Sequence, residues 1–333
     1  MPMRRRKKPH AAQSGCFFRL AVRLLPVAVF TLSAVLPLLA QESAEAEKFR
    51  ALALDLTNKS RAESKLPPLQ IGREANEAAK AHAADMLKRN FYSHNSPEGK
   101  TVQDRYMQAG GSKWRVTAEN IARCTGCQLS AATVEDLHRG WMNSKGHREN
   151  LLRRGIAQFG FSIVAESGQP LYAVQAFAGP GIPNGLGANE DPKRLSETEV
   201  VAKALEHLNR ERKQAGLTAF SESAALNKAA RSLLPERKLE AFDLAQIDKV
   251  MDALPAADRK DWQSLTVLAG ACGGCGAEPT AADVRSFVQQ WLGDAQNKGL
   301  LLSPGSTHLG FALAASGQGK KVALGVLGKM HPR

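Results

Sequence analysis

The stretch WRVTAENIARCTGC, residues 114–127, returns in altered form as WQSLTVLAGACGGC, residues 262–275. Each copy runs from a Trp to a Cys-x-x-Cys at the same distance. A frame written twice at this spacing implies a duplicated supersecondary unit. Only the first copy carries Glu119-Asn120 inside it.

The match extends outward on both sides. Upstream, Asn58, Arg61 and Leu66 answer to Asn209, Arg212 and Leu217. The Ala-rich runs EANEAAKAHAADML and ESAALNKAARSLL follow, both with the periodicity of amphipathic helices. Downstream, Trp141 and Trp291 each open a gap-free match that reaches FGFSI at Phe159 and LGFAL at Leu309. The alternation after each glycine reads as a strand. Each half is therefore helix, helix, loop with paired Cys, helix, then strands, which is an α+β unit. Gly and Pro in GPGIPNGLGANEDP exclude a continuing helix or ladder and place a linker at 181–194. The halves on either side, 48–180 and 195–333, each have the length of a domain.

The net charge of +13 is concentrated at one end. Residues 1–40 hold seven basic side chains and no acid, leaving +6 for the rest, with no basic stripe studded by aromatics. Nucleic acid is not an expected partner. The basic head precedes the apolar run LLPVAVFTLSAVLPLLA and the polar QESAEAE, the layout of a Sec-type signal peptide over 1–40 followed by a short linker, 41–47. The alternative is an uncleaved N-terminal membrane anchor, against which stand the run's shortness and its prolines, Pro26 and Pro37. Both readings put the remainder outside the cytoplasm, extracellular or periplasmic.

With the copies in register, the polar differences concentrate. Glu119 falls opposite Val267, His147 falls opposite Asn297, and FYSHNSPEGKTVQDR, with His94, has no counterpart in the second half. Burying a carboxylate or imidazole is costly unless a partner or ligand compensates. A copy that only needs to fold has no use for such groups, so His94, Glu119 and His147 are expected to face one cavity of the first half.

At these residues the first half resembles the bacterial branch of the CAP superfamily, the cysteine-rich secretory, antigen 5 and pathogenesis-related proteins. The carriers are Asn58 with Arg61, YSHNSPEG at 92–99, ENIA at 119–122 and WMNSKGHRENLL at 141–152, over about residues 48–180. The second half resembles the family in its framework only. The resemblance implies tandem α-β-α sandwich domains, the second degenerate, with a central groove in the first. In animal and plant members that groove shows two His and two Glu, sometimes with a divalent metal. His94, Glu119 and His147 match three of the four, and Ser144 stands where the fourth acid would fall.

Two imidazoles and a carboxylate form a recognised zinc constellation, so His94, Glu119 and His147 are candidate metal ligands, although no metal is required. The leading function is binding of a small ligand (a lipid, a peptide or a cell-wall fragment) at His94, Glu119, Ser144 and His147. The competing one is a hydrolase acting on peptide or peptidoglycan, with Glu119, His94 and His147 as the catalytic groups. A third makes the second domain, expected to pack on the first, an interaction module. His82 is expected as a packed helix histidine, His138 on a solvated face, Arg148 in an ion pair with Glu135 or Glu149, and Trp141 and Trp291 as core anchors. Outside the cytoplasm, Cys124–Cys127 and Cys272–Cys275 are expected as local disulfides, the alternative being one four-cysteine zinc site shared by the halves.

Overall fold

The computed structural model describes residues 35–333 except Glu236, Asp248 and Arg333, with side chains from residue 44 onward apart from Gln246. Most of the expected signal peptide, residues 1–34, lies outside the described residues. The chain divides into two compact units, Met1–Ser43 and Ala44–Arg333. Among the described residues no helix is long and apolar enough to cross a membrane. Helix α1 (Val35–Glu63) includes 41–47, expected as a linker; QESAEAE has neither Gly nor Pro and continues the helix readily.

The first half continues with β1 (Gln70–Ile71), α2 (Arg73–Arg89), α3 (Val102–Gln108), β2 (Val116–Cys124), α4 (Ala131–Asn143), α5 (Lys145–Leu151), β3 (Gln158–Val164) and β4 (Leu171–Gly179). The sheet order is β1-β3-β4-β2, with β1 parallel to β3 and the other pairs antiparallel. Every residue of β4 is buried, because both faces of this strand are covered. Leu171, Ala173 and Phe177 pack with Ala53 of α1 and with Val134, Trp141 and Leu151 of α4 and α5. Tyr172, Val174, Ala176 and Ala178 pack with α2 and with Tyr106 of α3. The result is an α-β-α sandwich.

The second half repeats it: α6 (Glu197–Gln214), β5 (Ser221–Glu222), α7 (Ala224–Ser232), the short α8 (Val250–Ala253), β6 (Trp262–Cys272), α9 (Ala281–Gly293), α10 (Ala295–Leu301), β7 (His308–Ala315) and β8 (Lys321–Met330), with sheet order β5-β7-β8-β6. The repetition reaches single hydrogen bonds. Asn58 exchanges two bonds with the main chain of Leu69, and Asn209 does so with Phe220. Arg61 donates to the carbonyls of Pro67, Leu151 and Arg153; Arg212 donates to those of Thr218, Leu301, Ser303 and Ser306. Trp141 Nε1 reaches the Ile121 carbonyl and Trp291 Nε1 the Ala269 carbonyl, both at 3.2 Å. Both indoles are core anchors.

Polar burial is not confined to the first half. Asp283 and Lys321 form a fully buried pair at 2.6 Å, with Asp283 also capping α9 through Thr280. By the strand and helix register these positions answer to Thr133 and Leu171. The second copy therefore buries charge of its own, at different places. The halves also share main-chain bonds: Gly274 N donates to the Trp114 carbonyl and Gly276 N to that of Pro180, both at 2.8 Å. A side chain at Gly273 would collide with the Trp114 ring, its Cβ lying 2.9 Å from Cε3.

Candidate functional site

Strand β2 is an edge strand, and its outer carbonyls are bonded by side chains from both helical layers. Trp141 Nε1 and Tyr92 Oη both donate to the Ile121 carbonyl, and Asn150 Nδ2 donates to that of Glu119. Side chains of successive strand residues alternate between faces. Glu119 therefore points, like Ile121, towards α2 and α3, while Asn120 points towards α5. Asn120 Nδ2 donates to the His147 carbonyl at 3.2 Å and to Gln175 Oε1, which ties α5 to the strand.

Glu119 is buried, and both of its oxygens are engaged. His94 Nδ1 lies 2.9 Å from Oε1, and Arg105 Nη2 donates to Oε2 at 2.6 Å. Arg105 also holds the carbonyls of His94 and Lys100, so one guanidinium fixes the acid and the loop that presents the imidazole. Thr101 and Asp104 cap α3 reciprocally and so fix the helix that carries Arg105. His82 completes the cluster: it is fully buried, 3.8 Å from Glu119 Oε1, and bonded through Nε2 to the Ser93 carbonyl at 2.8 Å. Its desolvation, the largest effect, lowers its pKa below 6.5 and outweighs the attraction of Glu119.

His147 and Ser144 stand at the other side of the β2 edge. They line a cleft of about 450 Å³ with Tyr92, Arg123, Trp141 and the Cys124–Cys127 loop. Burial depresses the pKa of His147, and the charge of His94 depresses it further. The imidazole facing the cleft is therefore neutral at neutral pH. His94 binds Glu119 directly and acts on His147 through space, but His147 and Ser144 line the cleft while His94 and Glu119 do not, so the three do not share one cavity wall as expected. Ser144 joins α4 to α5, and its side chain caps neither helix.

Glu119 is not free to act as a direct metal ligand. Glu119 has an arginine on one oxygen and an imidazole on the other, and Ser144 replaces the fourth acid. Among the described residues no group of three or more His, Cys, Asp or Glu side chains could hold an ion. The cysteines pair locally and not as one shared four-cysteine zinc site: Cys124 with Cys127 and Cys272 with Cys275, at Cα separations of 5.7 and 6.2 Å.

Two bystander expectations also change. His138 is buried, with Nε2 3.0 Å from Ser60 Oγ, because its side of α4 packs on α1. Arg148 donates to the Met142 carbonyl at 2.9 Å and makes no ion pair among the described residues. Sequence reasoning missed Arg105 and His82 as members of the cluster. The available signal for Arg105 was its place in the one long stretch without a counterpart.

An α-β-α sandwich with an acid–imidazole–guanidinium cluster at its edge strand defines the class of this half. Residues 54–177 match the model of the cysteine-rich secretory protein family, CAP. Among curated proteins the chain is similar to "Uncharacterized protein YkwD" of Bacillus subtilis (strain 168), 35% identical over 115 residues, which is 34% of this chain and 42% of the relative. It is also similar to "Uncharacterized membrane protein YlbC" of the same organism, 34% identical over 110 residues, or 33% of this chain and 30% of that one. The chain thus spans less than half the length of these relatives. A solved extracellular SCP-domain protein from Bacillus anthracis str. Ames is 30% identical, with 40% of each chain covered and a TM-score of 0.33.

Proposed function

We propose that this is an extracytoplasmic CAP-domain protein that binds a small ligand of the cell envelope at the β2 edge of its first half. The ligand would be a lipid, a peptide or a wall fragment, held by Ser144 and His147 in the cleft. The carrying observation is the full engagement of Glu119 by Arg105 and His94 beside an open cleft. An acid committed to a guanidinium orients the His94 loop and is poorly placed to accept a substrate proton, which favours a positioning role. The basic head and apolar run at the N-terminus support export, and two cysteine pairs at bonding distance fit an oxidising compartment.

One observation favours the hydrolase instead: a neutral imidazole, His147, and a hydroxyl not used in capping, Ser144, line the same cleft. A single series separates the two. Wild type and His147→Ala are assayed by thermal shift and by product analysis with muropeptides, oligopeptides and phospholipids. Binding predicts a ligand-induced rise in Tm that His147→Ala removes, with no product. Turnover that disappears in His147→Ala would replace binding with hydrolysis. No effect of His147→Ala on any ligand would refute both.

A further inference from the structure

The second half keeps a cleft at the place of the first, about half as large. A cavity of about 230 Å³ is lined on β6 and α9 by Ala271, Cys272, Asp283, Ser286, Phe287 and Gln290. In the register of β2 with β6 and of α4 with α9, their counterparts run from Arg123 to Gly140. All six of those counterparts line the cleft of about 450 Å³ in the first half. Two exchanges separate the pair: Gln290 stands where the first half has Gly140, and Ala271 where it has Arg123.

The first exchange sets the room. A Cβ at Gly270 would lie 2.9 Å from the Phe287 ring and 3.3 Å from Gln290 Oε1, so both side chains lie against the bare strand there. In the first half the strand carries Ala122 at that place, and the helix opposite carries Gly140. A Cβ at Gly140 would meet nothing within 4 Å beyond its own helix. A glycine inside a helix costs about 1 kcal/mol relative to alanine, and neither a positive φ nor a close contact requires one here. What Gly140 leaves is open space in the cleft. The second exchange sets the charge. Arg123 is exposed, with its guanidinium 5.8 Å from the centroid of the Tyr92 ring and no acid partner among the described residues. Asp136, the one acid lining the cleft among the described residues, is paired with Arg139. His147 is neutral, so Arg123 supplies the surplus charge.

We propose that the first-half cleft is a carboxylate site for a short peptide, in which Arg123 binds the anion and Gly140 makes the room beside it. The assignment rests on the ligand-binding reading of this cleft given above. One guanidinium matches one carboxylate in charge and in its fork of N–H donors. An alkyl chain would have to pass Thr133, Asp136, Ser144 and His147, which line the same cleft, whereas a peptide has polar groups to bond them.

The test uses the full chain and isothermal titration calorimetry with three peptides: acetyl-Leu-Ala-Ala, its C-terminal amide, and acetyl-Leu-Ala-Glu amide. The acid should saturate one site about tenfold more tightly than its amide, the margin of one charge-assisted bond. The third peptide separates the sources of the carboxylate. If it binds like the acid, any carboxylate serves; if it binds like the first amide, the chain terminus is what Arg123 reads. Arg123→Gln, at an exposed position, should erase the preference for the acid. Ala122→Gly/Gly140→Gln, which copies the second half, should abolish binding of all three peptides with circular dichroism unchanged, since glutamine is the better helix former. Equal binding of acid and amide, or a preference that survives Arg123→Gln, would overturn the carboxylate assignment. Undiminished binding in Ala122→Gly/Gly140→Gln would overturn the role of Gly140. If no peptide saturates up to about 1 mM while a phospholipid still raises Tm in a way that His147→Ala removes, this inference falls and the ligand-binding reading stands. If nothing binds, both fall.

Discussion

Arg105 Nη2 stands 2.6 Å from Glu119 Oε2, and both side chains are almost wholly shielded from water. Removing one partner of such a pair leaves a buried charge without compensation, at about 3–5 kcal/mol. Arg105→Ala should therefore lose about that much stability in guanidinium unfolding. Arg105→Met combined with Glu119→Val, the residue of the second copy at this register, should lose less than Arg105→Ala alone. A loss below about 1 kcal/mol for Arg105→Ala would mean that water reaches the acid, contrary to the burial observed.

His138 offers a pH readout. Burial, the dominant cause, holds its pKa below 6.5, with Glu63 opposing weakly. The unfolded chain then binds a proton that the folded chain refuses in the window just below 6.5. The contribution is fully present above 6.5 and is lost as pH falls through the folded value. In His138→Gln, which keeps a group able to bond Ser60, stability should fall less steeply between pH 7 and 5 than in wild type. The gap should approach about 1.4 kcal/mol per pKa unit of depression. Parallel curves would show the imidazole to be hydrated.

The duplication predicts matched losses. Asn58→Ala and Asn209→Ala each remove a two-bond clamp and expose the same two main-chain groups, of Leu69 and of Phe220. Each should cost about 2–3 kcal/mol, and the double variant about the sum, since the sites belong to separate cores. A loss confined to one half would show that the second copy tolerates what the first does not.

This framework was legible in sequence because its polar members work locally. Asn58, Asn209, Arg61 and Arg212 bond to main chain fixed by their own half, so identity and spacing carry the information. The site was legible only in part. Glu119 and His94 stood out as residues without counterparts, and they do meet. Arg105 did not stand out, since an arginine on a short helix reads as surface until the fold turns it inward. His82 was read by its helix alone, and its neighbour Glu119 comes from 37 positions away in a different layer.

The two cysteine pairs should differ in reactivity although their spacing is the same. Cys124 and Cys127 lie on the rim of the open cleft beside Arg123, a cation that favours thiolate attack there. Cys275 is fully buried, its Sγ against the Gly319 carbonyl, and its loop is pinned to Trp114 and Pro180 across the contact between the halves. Exchange requires an in-line approach of a thiolate to sulfur, so access decides which pair opens first. Brief treatment with dithiothreitol, alkylation and peptide mapping should label Cys124 and Cys127 well before Cys272 and Cys275. Gly273→Ala, which pushes a methyl group against the Trp114 ring, should narrow that difference by loosening the second loop. Equal labelling in wild type would mean that the contact between the halves opens faster than the cleft exchanges. The pinning of the second loop by Trp114 would then be too weak to shield its sulfurs.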